Sequence, residues 1–226
     1  MHKFAFIILF LTINTAAALG LNDLSNRDAV AGLKESLVKG AGNAVAKLGK
    51  TDGFLGNDKV KIPLPDSLQQ VDGLLRKFGM GKYADELVVT MNRAAEAAVP
   101  EARALLVNAV KTMSVQDAKS ILTGGDTAAT EYFRSKTSQP LAEKFLPIVK
   151  KATARVNLAQ KYDQFAGKAA KFGLADEKQA NLESYVTQKA LDGLFLMMTE
   201  EEKAIRADPV GQTSKLLSRV FGAIGK

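Results

Sequence analysis

Apolar residues recur at three- and four-residue steps along almost the whole of this chain, and alternation with a period of two is nearly absent. That spacing lines apolar side chains along one stripe of a helix and leaves no half-buried strands to pair into a sheet. The expected fold is all-α: a compact multi-helix bundle with a long Gly/Pro-rich loop after the first helix. Val30, Leu33, Leu37, Ala41, Ala44 and Leu48 form the first stripe behind a capping pair at Ser25 and Asp28, and Gly49 ends it. From Gly49 to Asp66 glycine, proline, aspartate and lysine dominate, with Val60-Lys61-Ile62 as the one short strand-like piece. Ser67 with Gln70 opens a second helix that Gly79 closes as a left-handed cap, with Met80 the apolar residue beyond.

Tyr83, Leu87, Met91, Ala94, Ala95 and Ala98 continue the pattern to Pro100, where the chain either kinks or starts a new helix with proline in its first turn. Ser114 and Asp117 cap a short helix to Leu122, and Thr123-Gly124-Gly125-Asp126 is the sharpest break in the chain. Helices are then expected from Thr127 to about Lys136, from Leu141 to Val156 with a kink at Pro147, and from Leu158 to Phe172. Leu182 to Met198 is the most hydrophobic helix and should be buried; Thr199 with Glu202 should restart a short acidic helix that Pro209 ends. A last amphipathic helix spans Leu216 to Ile224.

Residues 1–18 have the layout of a secretory signal: a basic start at Lys3, an apolar run from Phe4, and Ala16-Ala17-Ala18 as the small-x-small cleavage pattern. The run is shorter than the roughly 20 apolar residues that span a bilayer. Residues 19–226 are expected to form a single helical domain, exported, soluble and periplasmic. With no cysteine in the chain it cannot carry the lipid-modified amino terminus of a lipoprotein.

The only histidine is His2, inside that signal, and the chain has no cysteine or tryptophan. The mature chain therefore lacks Ser-His-Asp and Cys-His catalysis, thiolate or imidazole zinc sites and histidine-ligated haem. No cofactor and no catalytic residue is expected.

Three stretches carry a family likeness: Thr51-Asp52-Gly53-Phe54-Leu55-Gly56-Asn57 running on to Val60-Lys61-Ile62-Pro63-Leu64-Pro65; Ile121-Leu122-Thr123-Gly124-Gly125-Asp126; and Ala190-Leu191-Asp192-Gly193-Leu194-Phe195 with Glu200-Glu201-Glu202 and Ile205-Arg206 behind it. Together with the exported start, they resemble an uncharacterised family of bacterial exported proteins, domain of unknown function 4197. The resemblance covers essentially the whole mature chain. It implies an exported helical protein and brings no catalytic residues with it.

Two candidate sites emerge from the residues themselves. Gly124, Gly125, Asp126 and Thr127 lead into a helix whose first N–H groups could hold an anion or partner carboxylate, with Arg134 nearby. Alternatively Asp126 is the N-cap and satisfies those donors itself. From Arg134 to Lys171 nine basic residues face two acidic ones, in a chain of formal net charge +7. Lys144, Lys150, Lys151 and Arg155 form its candidate basic face, suited to anionic lipid, envelope glycan or an envelope protein, or else a solvated surface. Nucleic acid is not an expected partner. Phe145, Phe165, Phe172, Phe195, Met197 and Met198 are either plain core or the lining of an apolar pocket.

The leading reading is an exported, non-enzymatic binding or interaction protein of the bacterial cell envelope, with lipid or another anionic amphiphile as its most concrete ligand. The alternatives are a carboxylate-dependent enzyme acting on envelope glycans through Glu183, or an assembly factor for a protein partner. Glu200, Glu201 and Glu202 read as acids at a helix start, where the dipole favours them.

Overall fold

The computed structural model describes residues 26–155 and 182–207, and among them every regular element is a helix. They are α1 (Asn26–Leu48), α2 (Asp66–Lys77), α3 (Lys82–Ala98), a 3-10 turn (Val99–Glu101), α4 (Ala102–Lys111), α5 (Val115–Thr123), α6 (Ala128–Arg155) and α7 (Leu182–Ala207). The expected helices at Leu158 to Phe172 and Leu216 to Ile224, the signal, and the cap at Ser25 lie outside the described residues.

Local chemistry explains most of the ends. Ser114 and Asp117 form a complete capping box: the Asp117 N–H donates to the Ser114 hydroxyl, and the Ser114 N–H donates back to the Asp117 carboxylate. After α2 the Met80 N–H reaches the Leu75 carbonyl at 2.9 Å and the Gly79 N–H reaches that of Arg76 at 3.0 Å, with Gly79 at φ 71°. That is a Schellman closure, and it needs the left-handed backbone that glycine adopts freely. Pro100 settles into the 3-10 turn, so α4 begins as a new helix directly after it.

Three boundaries differ from the sequence reading. Ser67 does not open α2: the helix starts at Asp66 behind Pro65, whose fixed φ suits a helix entry, and no side-chain cap closes that end. The chain does not break between Lys136 and Leu141: α6 runs through Pro140 and Pro147 as one 28-residue helix. Each proline forfeits a backbone donor. Phe133, Thr137, Leu141, Phe145, Val149 and Thr153 are all buried, however, one every four residues, and this continuous burial against α3, α4, α5 and α7 outweighs the lost hydrogen bonds. Nor do Thr199 and Glu202 restart a helix. The Thr199 hydroxyl bonds to the Phe195 carbonyl one turn back, and α7 continues unbroken to Ala207.

α7 is the central element, packed on α6, α1 and α3. Val186, Ala190, Leu194 and Phe195 are at most 1% exposed, as the wide apolar stripe of this helix requires. Phe145, Phe195, Met197 and Met198 belong to the same core, whereas Phe165 and Phe172 lie outside the described residues.

Candidate functional site

The segment 49–65 has no regular structure, so its backbone polar groups need partners elsewhere. Side chains of α3 supply them. Asn92, fully buried, accepts from the Ile62 N–H (2.8 Å) and donates to the Ile62 carbonyl (2.9 Å), replacing a neighbouring strand for the one strand-like piece of the loop. Glu96, also buried, accepts from the N–H groups of Phe54 and Leu55, both at 3.1 Å. Arg93 holds Glu96 at 2.7 Å and Asp52 at 2.8 Å, and both carboxylates raise the pKa of its guanidinium further above the usual arginine value.

On its other side the loop meets α7. Phe54 is completely buried against Gly193, the Tyr185 hydroxyl donates to the Pro63 carbonyl at 3.1 Å, and Lys59 pairs with Glu200 at 2.6 Å. The Lys59 ammonium holds the Glu200 carboxyl below its ordinary range.

The three consecutive glutamates then diverge. Glu201 accepts from Asn43 at 3.0 Å and pairs with Lys47, both on α1. Glu202, 8% exposed, reaches the start of α6, where it accepts from the N–H groups of Ala129 and Thr130 and from the Thr130 hydroxyl, each at 2.9 Å. Arg206, one turn later, donates to Glu202 at 2.9 Å and to the Ile121 carbonyl at 3.0 Å.

These bonds place the sequence-predicted residues. The donors that the sequence reading left to Asp126 or to a bound anion are taken by Glu202, from a helix more than seventy residues away. Gly124, Gly125 and Asp126 are exposed, and α6 starts two residues after Asp126; Thr127 hydrogen-bonds Glu131 at 2.9 Å. Arg134 does not join the loop: its guanidinium lies 4.6 Å over the Phe195 ring. Glu200, Glu201 and Glu202 occupy the later turns of α7, not a helix start, so their own helix dipole does not favour them there. Glu202 still obeys the rule that acids suit helix N-termini, but at the N-terminus of a different helix. Glu183 lies in the first turn of α7, half-buried.

Between α1, α5, α6 and α7, beside Glu202 and Arg206, a cavity of about 30 Å³ is lined by Leu33, Leu37, Ile121, Phe133, Met198 and Ile205 among others. It has room for about two waters and none for an acyl chain.

Lys144, Lys150 and Lys151 are exposed on α6 and make no ion pair among the described residues; the side chain of Arg155 is not described. The lysines lie away from the Glu202 junction, so the two candidate sites are separate along α6.

The three motifs of the sequence therefore converge on α7: the loop 49–65 on Gly193 and Glu200, and the Ile121 to Asp126 segment on Arg206, through the Ile121 carbonyl. A family model described as "Protein of unknown function (DUF4197)" matches residues 23–222. The chain belongs to this family. The DUF4197 match takes in all three motifs and every described residue. No curated protein matches the chain, and no solved structure does. Among the described residues of this DUF4197 chain no helix is long and apolar enough to cross a membrane, and no group of three or more His, Cys, Asp or Glu could hold a metal ion.

Proposed function

We propose that this is an exported, periplasmic, non-enzymatic binding protein of the bacterial cell envelope, and that the lysine face of α6 associates with anionic amphiphiles, in the first place anionic lipid headgroups. The observation that carries this reading is charge placement: Lys144, Lys150 and Lys151 stand exposed within two turns of one another on α6 and pair with no carboxylate among the described residues. The opposite side of α6 is anchored by its buried stripe, which presents the lysines on a rigid element. α6 as a whole carries six basic residues against two acidic ones.

Each lysine near an anionic surface contributes about 1 kcal/mol, so three account for about 3 kcal/mol of attraction that salt screens. The test is co-sedimentation of the signal-free chain with vesicles containing anionic phospholipid, beside purely zwitterionic vesicles. The reading requires association with the anionic vesicles that falls with salt and that Lys144→Glu, Lys150→Glu and Lys151→Glu together abolish. Wild-type protein that never associates would overturn it.

A further inference from the structure

α6 and α7 run antiparallel: Glu202 meets Ala129 and Thr130 near one end of the pair, and further along Ser184, Thr187 and Gln188 face Ala142 and Leu146 across an open cleft of about 310 Å³. That volume is at the lower end of the range of small-molecule sites, about 300–1,000 Å³. Ala142 and Leu146, both half-buried, make the cleft mainly apolar, and Glu143 stands exposed at its rim.

Thr187 is the odd residue in this cleft. It is 5% exposed, yet its hydroxyl has no hydrogen-bond partner, the only such buried side-chain atom among the described residues of α6 and α7. Thr137, Thr153 and Thr199 on the same two helices each return the hydroxyl to a carbonyl roughly one turn back, at 2.6, 3.0 and 3.1 Å. Buried polar groups are nearly always paired, so an idle hydroxyl lining a cleft marks where a ligand atom completes the bond.

The remaining polar groups are engaged. Gln188 donates to Asp192 at 3.0 Å, Glu143 accepts from Gln139 at 3.1 Å, and Ser184 has a partner of its own. Gln139 lies one turn before Glu143 and draws its carboxylate toward that end of the cleft. Lys150 lies at the other end, one turn or about 6 Å past Leu146 on the same side of α6. It is exposed and pairs with no carboxylate among the described residues; Lys189 stands 5.7 Å over the Tyr185 ring, and Glu183 in the first turn of α7 forms no ion pair among them either.

A free phosphate would use Lys150 alone, and a plain hydrocarbon would leave the Thr187 hydroxyl idle. An acyl ester with an anionic head uses both, with its methylenes on Ala142 and Leu146. Its uncharged tail then passes Glu143, so only one orientation suits the charges. We infer that the cleft between α6 and α7 is the acyl subsite of the lysine face and takes one monoacyl anionic lipid, the Thr187 hydroxyl donating to the ester carbonyl. The inference rests on the lipid reading of the α6 lysines and names the ligand of that surface.

The experiment is calorimetric titration of the signal-free chain with short-chain monoacyl phosphatidylglycerol below micelle formation, as the ester and as the ether analogue that lacks the carbonyl. The ester should bind saturably and about tenfold more tightly than the ether, the worth of one hydrogen bond. Thr187→Val keeps the shape and removes the hydroxyl; it should bind ester and ether alike and be no less heat-stable than the wild type, since no bond within the fold is lost. Ala142→Leu fills the cleft and should weaken both lipids about tenfold, whereas Glu143→Gln should not weaken either; if Ala142→Leu fails to fold, Thr187→Val carries the test. Absence of saturable ester binding overturns the inference, as does an ester-to-ether ratio that Thr187→Val leaves unchanged. Full competition by a zwitterionic dipeptide whose binding Glu143→Gln abolishes would make this a peptide cleft and equally overturn it. Vesicle co-sedimentation run in parallel separates the two readings: association of the wild type with anionic vesicles but not with the monomeric ester overturns the cleft and leaves the lysine face standing, and absence of both overturns both.

Discussion

Phe54 fills the space that a side chain at Gly193 would need. A Cβ built on Gly193 would lie 2.7 Å from Cε1 of Phe54, whose ring is fully buried between the loop 49–65 and α7. One glycine in the most hydrophobic helix and one phenylalanine in the least regular segment are thus a matched pair, and they couple two of the three family motifs.

Gly193→Ala should therefore destabilise the protein by about 1–3 kcal/mol, the cost of overpacking a well-filled core, despite the better helix propensity of alanine. Gly73 in α2 is the control: it has nothing within 4 Å of an added Cβ, so Gly73→Ala should stabilise by about 0.5–1 kcal/mol. Urea denaturation of the two variants reads the difference in sign, and equal effects would dissolve the pairing with Phe54.

The consecutive glutamates should differ sharply when each is replaced by glutamine. Glu202→Gln leaves Arg206 without its carboxylate in a part-buried site and should cost about 3–5 kcal/mol. Glu201→Gln loosens a pair whose lysine is 57% exposed and should cost about 1 kcal/mol or less. Glu200→Gln, facing solvent with Lys59, should have the smallest effect of the three. Thermal denaturation of the three variants in parallel checks the order.

Asn92→Leu preserves the size of the side chain and removes both bonds to Ile62. Each Ile62 group left unpaired in the buried loop should cost about 1–3 kcal/mol. The local signature is faster amide exchange at Ile62 and earlier proteolytic cutting within residues 49–65, with α4 and α5 unchanged.

Acid should act on the α5 cap in a defined direction. The Ser114 hydroxyl, and then its backbone N–H, hold the Asp117 carboxyl below the ordinary aspartate value. A folded pKa below the unfolded one means that the cap's contribution is complete above the unfolded pKa and is lost as pH falls through the lowered folded value. Carboxyl NMR should show Asp117 titrating below ordinary aspartates, and Ser114→Ala should move that titration upward. Glu200 should behave likewise, with Lys59→Met removing the cause of its shift.

Much of this was legible along the chain. The cap at Ser114, the Schellman end at Gly79, the burial of α7 and the extent of the loop after α1 follow from neighbours a few residues apart. The break expected between Lys136 and Leu141 is absent because the helix-breaking tendency of Pro140 is a local propensity, and the stripe from Phe133 to Thr153 overrides it only once α3, α4, α5 and α7 are in place. Glu202 was missed for a similar reason. Beside Thr199 it reads as a capping acid, and nothing near it in sequence announces that its partners are Ala129 and Thr130.

The sequence by itself determined the helical class, the loop, the places where most helices begin and end, and the absence of histidine and cysteine chemistry from residues 23–222, because each depends on residue type and short-range spacing. Only the tertiary structure decided which carboxylate closes the α6 N-terminus, what Gly193 makes room for, how the loop backbone is satisfied, and that Ala142, Leu146 and Thr187 border one cleft. Those relations join residues on different helices, and packing alone brings them within reach of one another.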